Sequence, residues 1–518
     1  MCLDTAWTWT NTIATCPSLV WLTWINMRLK FSPALEQLLD LILAELPDDQ
    51  ALYIVGGAIR DILLGRPLHD LDFVMPDDPT NLAKKIAHKR QVGFFVLDDE
   101  RHTARVLFRQ RGNQIFPLDF VQFTGEDLHS DLMHRDFTIN AISVSVRETG
   151  KLIDPLGGIK DLAAGLLRTC SDHSLTDDPV RVLRGIRLAM QFDFSYAPGL
   201  DALMTEASQY LPHTSPERQR DELFKILEGS DPAEGMAHCR QFGVIKSLIP
   251  PLMEQEDIPA SPPHTLRLID HSLKVLEYLK QLIETPKDLS TWWLLDFRSL
   301  FGRFSEHISD YLEEEITPGR SKKGLLMFAA LLHDIGKPET FTVGEDGYLH
   351  FYNHAQIGAD LAWNAAKALQ LSNAESEWIR TVVQNHMHLL PFANRAKEPS
   401  RVDVYRFYQE TGEAGAAVAL LSLADTLATY HQSLTLDKWQ NALMVSEVML
   451  AAWWEAHQTV VSPTLLLDGN DLQDEFGMAP GKEIGEILEK LREAQAAGEV
   501  TTRELAAAFI QTQIKGIE

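Results

Sequence analysis

The stretch Ala51-Leu-Tyr-Ile-Val-Gly56-Gly-Ala-Ile-Arg60, with His69-Asp-Leu-Asp-Phe-Val74 close behind it, decides the fold. A short apolar run ending on Gly56-Gly57 reads as a strand entering a tight turn, and His69 to Val74 reads as a second strand. Residues two apart on a strand share a face, so Asp70 and Asp72 point the same way. With no lysine between them they repel each other unless cations sit there, and such hard oxygen ligands suit Mg²⁺ carrying a nucleoside triphosphate. Two metals bridged by the pair can activate a 3′ hydroxyl and stabilise leaving pyrophosphate. Gly56 and Gly57 let the backbone approach phosphates closely, because no Cβ intervenes. Arg60, one turn later, is placed to bind a phosphate or the substrate hydroxyl. Asp119, in the apolar strand Pro117-Leu-Asp-Phe-Val121, is the candidate third carboxylate.

Outward from this stretch, Leu35, Leu38, Leu39, Ile42 and Leu43 have helical spacing. Phe94 to Leu97, Ala104 to Phe108 and Phe116 to Phe123 are further strands. Strand character fades after Ile153. From Pro179 onward the chain reads as successive helices, with loops near 195–199, 255–264, 316–322, 340–350 and 462–470. The fold class is therefore α+β: a head with a small mixed sheet, followed by a helical neck, body and tail. With 518 residues the chain exceeds one core. A hydrophobic fraction of 45% and a charged fraction of 23% are those of an ordinary globular protein. The net charge of −26 excludes a basic coat, so nucleic acid must meet local patches such as Lys84, Lys85, Lys89 and Arg90, or Arg181, Arg184 and Arg187. The four cysteines lack metal or disulfide spacing, which suits a reducing cytoplasm. Thr5 to Met27 is uncharged and rich in tryptophan, but Pro17 breaks it and no basic leader precedes it, which argues against a signal or membrane span. The globular pattern begins near Met27, and residues 1–30 are expected to be an extension.

Five motifs then carry a resemblance. Gly56 to Arg66, with His69-Asp-Leu-Asp-Phe73, resembles motif A of the class II tRNA nucleotidyltransferase and bacterial poly(A) polymerase family, within the polymerase-β nucleotidyltransferase superfamily. Asp131-Leu-Met-His-Arg-Asp-Phe-Thr-Ile-Asn-Ala141 resembles motif B, with His134 and Arg135 where the family has two arginines. Asp154-Pro-Leu-Gly-Gly158 with Asp161 resembles motif C, and Asp177-Asp-Pro-Val-Arg181 with Arg184 resembles motif D. Ser215 to Leu227 resembles motif E. The resemblance implies that Asp178 and Arg181, on adjacent turns of one helix face, hydrogen-bond the base edge of C or A and reject G and U. It implies that Arg135 and Asp136 bind the ribose and hold the site together. Asn140 would support the turn, and Arg184 would hold the triphosphate.

Downstream, Leu331-Leu-His-Asp-Ile-Gly-Lys337 places His333 beside Asp334 at a helix end, offering an imidazole and a carboxylate to one cation. With His271 on an earlier helix and Asp425 on a later one, this set is similar to the ligands of the HD phosphohydrolase superfamily. His354 and His386 match the extra histidines of many members. Leu467 to Glu493 resembles the tail of HD-bearing members of the tRNA family. The Glu284–Lys322 region reads as an inserted helical pair.

The implied organisation is an extension (1–30), a nucleotidyltransferase head (31–165), a helical neck (166–230), a body with the HD domain (231–460) and a tail (461–518). The implied activity is addition of CCA, from CTP and ATP, to the 3′ end of tRNA. Mg²⁺ would serve this site, and a transition metal such as Mn²⁺ or Ni²⁺ would serve an HD phosphohydrolase centre. Addition of CC alone or A alone is a close alternative, resting on a flexible loop expected at Asp98–Arg105. Poly(A) polymerase, or an HD hydrolase with a vestigial transferase, are others. The expected setting is cytoplasmic, without a membrane partner.

Overall fold

The structure, a computed structural model, describes residues 29–109, 115–148, 150–284, 291–345 and 347–515. Thr5 to Met27 thus lies outside the described residues. The chain divides into two compact units, Met1–Tyr210 and Leu211–Glu518, a division that falls inside the segment expected as a neck.

In the first unit, helix Pro33–Leu43 starts at Ser32, whose hydroxyl accepts from the Leu35 amide, and buries Leu35, Leu38, Leu39 and Ile42. A seven-stranded mixed sheet holds β1 (Tyr53–Val55), β2 (Leu71–Met75), β3 (Gly93–Asp98), β4 (Thr103–Arg109), β5 (Ile115–Gln122), β6 (Ser143–Ser145) and β7 (Leu152–Ile153). Its order is β3-β4-β5-β2-β1-β6-β7. Only β2 and β5 run parallel among these neighbours. The period of two sorts β2: Leu71, Phe73 and Met75 enter the main core with Leu118 and Phe120, and Phe73 stacks on Phe120 with centroids 4.8 Å apart. Asp72 and Val74 take the other face, where Val74 joins Val55, Leu132, Ala141 and Cys170. Five of the seven strands were expected from the sequence; β6 and β7, of three and two residues, are too short to show a period.

The second unit is helical, with two small additions where loops were expected. Glu315–Thr317 pairs with Arg320–Ser321, and Phe341–Val343 pairs with Leu349–Phe351, so residues 316–322 and 340–350 contain hairpins. The Glu284–Lys322 region holds helices Trp292–Phe301 and Ser305–Glu313, with residues 285–290 undescribed. The end of the chain carries its own core of Leu467, Leu472, Ile487, Leu491 and Ile510. No helix among the described residues is long and apolar enough to cross a membrane.

Candidate active site and metal centre

β1 ends at Gly56, whose φ of +79° favours glycine, and a Cβ there would stand 2.9 Å from Oδ2 of Asp72. The parallel register sets Asp72 directly beside Asp119. Asp70 lies one residue ahead of β2 rather than within it, and is exposed where Asp72 is half-buried. Burial, then the neighbouring Asp70, pushes the Asp72 carboxyl up to about 6, against the pull of Arg135. Asp70 is raised as well, by burial and then by Asp119 and Asp61. Carboxylates that raise one another in this way call for a cation between them.

Arg105 falls both in the strand expected at Ala104–Phe108 and at the end of the loop expected at Asp98–Arg105, and the sequence reading assigns it no role. Residues 99–102 instead form a tight turn between β3 and β4, where Oδ1 of Asp98 accepts from the amides of Glu100 and Arg101, each at 3.0 Å. Arg105 sits in β4 opposite Asp119 and donates to both carboxylate oxygens, each at 2.7 Å. Counting hairpin register from the turn would have found the pair.

The motif B residues form a buried hub. Asp136 accepts from the Phe137 amide (2.7 Å), Asn140 Nδ2 (3.1 Å) and Arg184 Nη1 (3.2 Å). Burial alone would raise its carboxyl, yet Arg184 and these hydrogen bonds hold it below the usual range. Asn140 Oδ1 accepts from Arg60 Nη1 at 2.6 Å, and Arg60 also forks onto Asp61 while its guanidinium faces Phe192 at 4.7 Å. Arg60, expected at a phosphate or the substrate hydroxyl, is buried within the fold, where its planar donors brace the turn. Asp136 and Arg184 likewise meet each other, where ribose and triphosphate contacts were expected. Arg135 pairs with Asp131 at 3.2 Å.

The placing of Asp178 also needs correction. It precedes helix Val180–Phe192 with φ −144° and ψ 89°, because Pro179 disfavours helical backbone in the residue before it. Arg181 is in the first turn, 3.7 Å from Asp178, so the pair still adjoins. Arg181 donates to the carbonyls of His134 (2.8 Å), Ser174 (3.0 Å) and Arg135 (3.2 Å), tying the helix to motif B.

In the second unit, four helix ends and one helix interior bring six predicted residues together. His271 belongs to helix Leu268–Ile283 and Asp425 to Gly415–Tyr430. His333 and Asp334 follow Lys322–Leu332, His354 opens His354–Ala368, and His386 follows Asn373–Asn385. His271, His333 and Asp425 form one group and Asp334, His354 and His386 another, each with its donor atoms within 4.8 Å of one another. Asp334 bridges them. Its Oδ2 is 3.2 Å from His333 Nε2, and its Oδ1 is 3.5 and 3.6 Å from Nε2 of His354 and His386, beyond good hydrogen bonding. Gly336 permits the close turn, since a Cβ there would meet the His354 carbonyl at 2.2 Å.

The donor set fits metal. Nδ1 of His333, His354 and His386 each faces a backbone carbonyl, of Ala330, Phe351 and Val383, at 2.7 to 2.8 Å. Those bonds require hydrogen on Nδ1 and leave the Nε2 lone pairs facing inward. The Nε2 atoms of His354 and His386 are 3.3 Å apart, where two lone pairs repel unless a cation lies between them. Burial lowers His271, and it pushes His354 down to about 4. Burial also opposes charge on His333, but Asp334 and Asp425 prevail and raise it, a proton taking the place a cation would fill. Lys337, quoted in the motif but assigned no role, joins the centre: its Nζ donates to Asp334 Oδ2 at 2.6 Å. His264, its ring 4.8 Å from that of His271, was missed too, because residues 255–264 read only as a loop.

Comparison with known proteins agrees with this geometry. Residues 52–168 match the poly A polymerase head domain, 193–255 a probable RNA and SrmB-binding site of polymerase A, and 268–430 the HD domain. An A-adding tRNA nucleotidyltransferase of Deinococcus radiodurans is 31% identical over 88% of this chain and 94% of its own. A CC-adding tRNA nucleotidyltransferase of Geobacter sulfurreducens is 29% identical over 88% of this chain and 91% of its own. The structure of a CCA-adding enzyme in an apo form superposes with a TM-score of 0.63 at 22% identity, covering 93% of this chain and 95% of that one. The chain belongs to the tRNA nucleotidyltransferase and poly(A) polymerase family. It is a nucleotidyltransferase that carries an HD domain.

Proposed function

We propose that the first unit adds nucleotides of the CCA sequence to the 3′ end of tRNA, taking CTP and ATP. The observation that carries this reading is the pairing of Asp72 with Asp119 in register, with Asp70 alongside, in a chain similar along most of its length to tRNA nucleotidyltransferases. The tRNA 3′ oxygen bonds to the α-phosphorus, the α–β bridging bond breaks, pyrophosphate leaves and the hydroxyl proton passes to solvent. Asp70 and Asp72 would hold Mg²⁺, whose charge would favour attack and departure. Gly56 keeps the approach to Asp72 clear, and Arg105 holds Asp119 in place. The Arg60–Asn140–Asp136–Arg184 hub fixes the floor on which Asp178 and Arg181 meet the base. Purified protein, given tRNAs ending before, within and after CCA with each nucleotide separately, should incorporate CMP and AMP but neither GMP nor UMP. Untemplated poly(A) growth on any RNA, or no incorporation, would refute this.

A second reading has its own support: of four relatives matched over nine-tenths of their length, one is an A-adding and three are CC-adding enzymes. In the same assay a specialised enzyme incorporates CMP alone or AMP alone.

For the second unit we infer phosphoester hydrolysis at a centre of His271, His333, Asp334, Asp425, His354 and His386, residues that would hold a metal. A transition metal such as Mn²⁺ or Ni²⁺ suits the mixed imidazole and carboxylate set, and supplies an activated water when bound. A 2′,3′-cyclic phosphate on a damaged tRNA is a fitting substrate. Water oxygen bonds to phosphorus, one ester bond to ribose opens and its oxygen takes the proton; a second hydrolysis frees the hydroxyl that addition requires. The setting is cytoplasmic.

A further inference from the structure

Three of the four imidazoles around Asp334 are locked and the fourth is not. Nδ1 of His333, His354 and His386 each meets a backbone carbonyl, a partner that can only accept. Nδ1 of His271 is buried and meets no hydrogen-bond partner among the described residues, on a side chain only 1% exposed. A buried polar atom left unpaired is costly, and a metal-ligating histidine has its second nitrogen bonded in almost every site. His271 therefore lacks the hold that its three neighbours have.

Its other nitrogen also differs in its surroundings. Nε2 of His271 stands 3.0 Å from Asp425 Oδ1, which favours hydrogen on Nε2. A cation at Nε2 needs the lone pair there and the hydrogen on Nδ1. The partner of Nδ1 must then donate in one state and accept in the other. A carbonyl cannot do both, whereas a water molecule can. His271 forms part of the wall of a pocket whose other polar members are Ser261, His264 and Lys337. Lys337 is engaged with Asp334. Ser261 and His264 share one turn, closed by the His264 amide donating to the Ser261 carbonyl at 2.9 Å. Ser261 Oγ accepts from the Leu349 amide at 3.4 Å and keeps its own hydrogen to give. The His264 ring stands at 89° to that of His271 with centroids 4.8 Å apart, and a neutral imidazole both donates and accepts.

We propose that a water molecule in this pocket joins His271 Nδ1 to His264, with Ser261 as its third partner, and that His264 is thereby a positioning residue for the HD centre. The proposal rests on the reading above that the centre holds a metal. A buried water makes about three hydrogen bonds, and these three side chains supply them. When Nε2 of His271 releases its hydrogen to solvent in favour of a cation, the water gives one to Nδ1. It draws a replacement through His264, which is only partly buried, so His271 stays neutral throughout. The three carbonyl-bound imidazoles are held ready for metal, and the fourth adjusts to it.

The test compares three variants of the full chain, each with Asp72→Ala to remove the other acidic site. His264→Phe keeps a ring to pack on His271 and removes both nitrogens, while His264→Asn and His264→Gln each return a polar group near one of them. Calorimetric titration of the metal-free protein with Mn²⁺ should show affinity about tenfold or more weaker in His264→Phe. At least one of the amide variants should recover to within about threefold of the parent. A packing role predicts the reverse order, since phenylalanine preserves the ring and the amides do not. A crystal structure of the metal-free protein should place a water at about 2.7–3.2 Å from both His271 Nδ1 and a ring nitrogen of His264. Parental affinity in His264→Phe, equal weakening in all three variants, or a pocket without that water would overturn the proposal and leave the metal centre standing. If the parent binds neither Mn²⁺ nor Ni²⁺, the metal reading falls and the positioning role with it, and the crystallographic water alone decides the bridge.

Discussion

Asp70 and Asp72 stand at the start of a strand, one of them open to solvent, whereas Asp334 is buried among four imidazoles with Asp425 beside them. Both groups attract cations, but water can screen the first and not the second. Lys337 offsets only one of the two carboxylates, Asp334 and Asp425, and an uncompensated buried carboxylate is costly, so the second centre needs a further positive charge, proton or metal. The first can wait for a cation that arrives with each nucleotide. Two kinds of metal chemistry in one chain are thus separated by burial rather than by ligand type alone.

The largest expected effect breaks the comparison at its exposed end. Asp72→Ala should reduce CMP and AMP incorporation by about a thousandfold or more, leaving thermal unfolding and cyclic-phosphate hydrolysis in place. Residual incorporation within tenfold of wild type would displace the site. The mirror experiment is Asp334→Ala, for which elemental analysis should find bound transition metal lost and hydrolysis down by about a hundredfold or more, with incorporation retained. Parallel loss of both activities would mean that the two centres are not separable. Gly56→Ala sharpens the geometric side: forcing φ of +79° on alanine, with its Cβ at 2.9 Å from Asp72, should cost about 1–3 kcal/mol of stability and slow addition. Chemical denaturation and initial rates measure the two, and an unchanged rate would exclude the close approach as a requirement. The smallest effect concerns selection. Arg181→Ala should relax discrimination against GTP and UTP about tenfold. A fall in rate at constant preference would confine Arg181 to its carbonyl bonds with His134, Arg135 and Ser174.

Much of this was legible because it is short-range. Gly56-Gly57 and the Asp70, Asp72 pair announce a strand and turn by spacing alone, and His333-Asp334 announces a helix end. The partners that complete each site were not legible, because they come from register and packing. Arg105 finds Asp119 through hairpin pairing. Arg60 meets Asn140, 80 residues away, as well as its neighbour Asp61. Asp178 was read as helical despite Pro179 behind it, a local signal given too little weight. The hairpin at 341–351 was read as a loop, since two three-residue strands carry no period.

The hub that ties Arg60 to Asn140 spans 80 residues, and the one that ties Asp136 to Arg184 spans 48. A ribosome extending the chain at about 5–20 residues per second makes Arg60 wait several seconds for its acceptor and Asp136 several more for its cation. Throughout that interval the nascent strand already displays Asp70 and Asp72, while the helix from Val180 to Phe192 that locks the floor beneath them is still unmade. Synthesis therefore imposes an order of commissioning: the acidic mouth emerges first, and the helix that carries Arg181 and Arg184 arrives later.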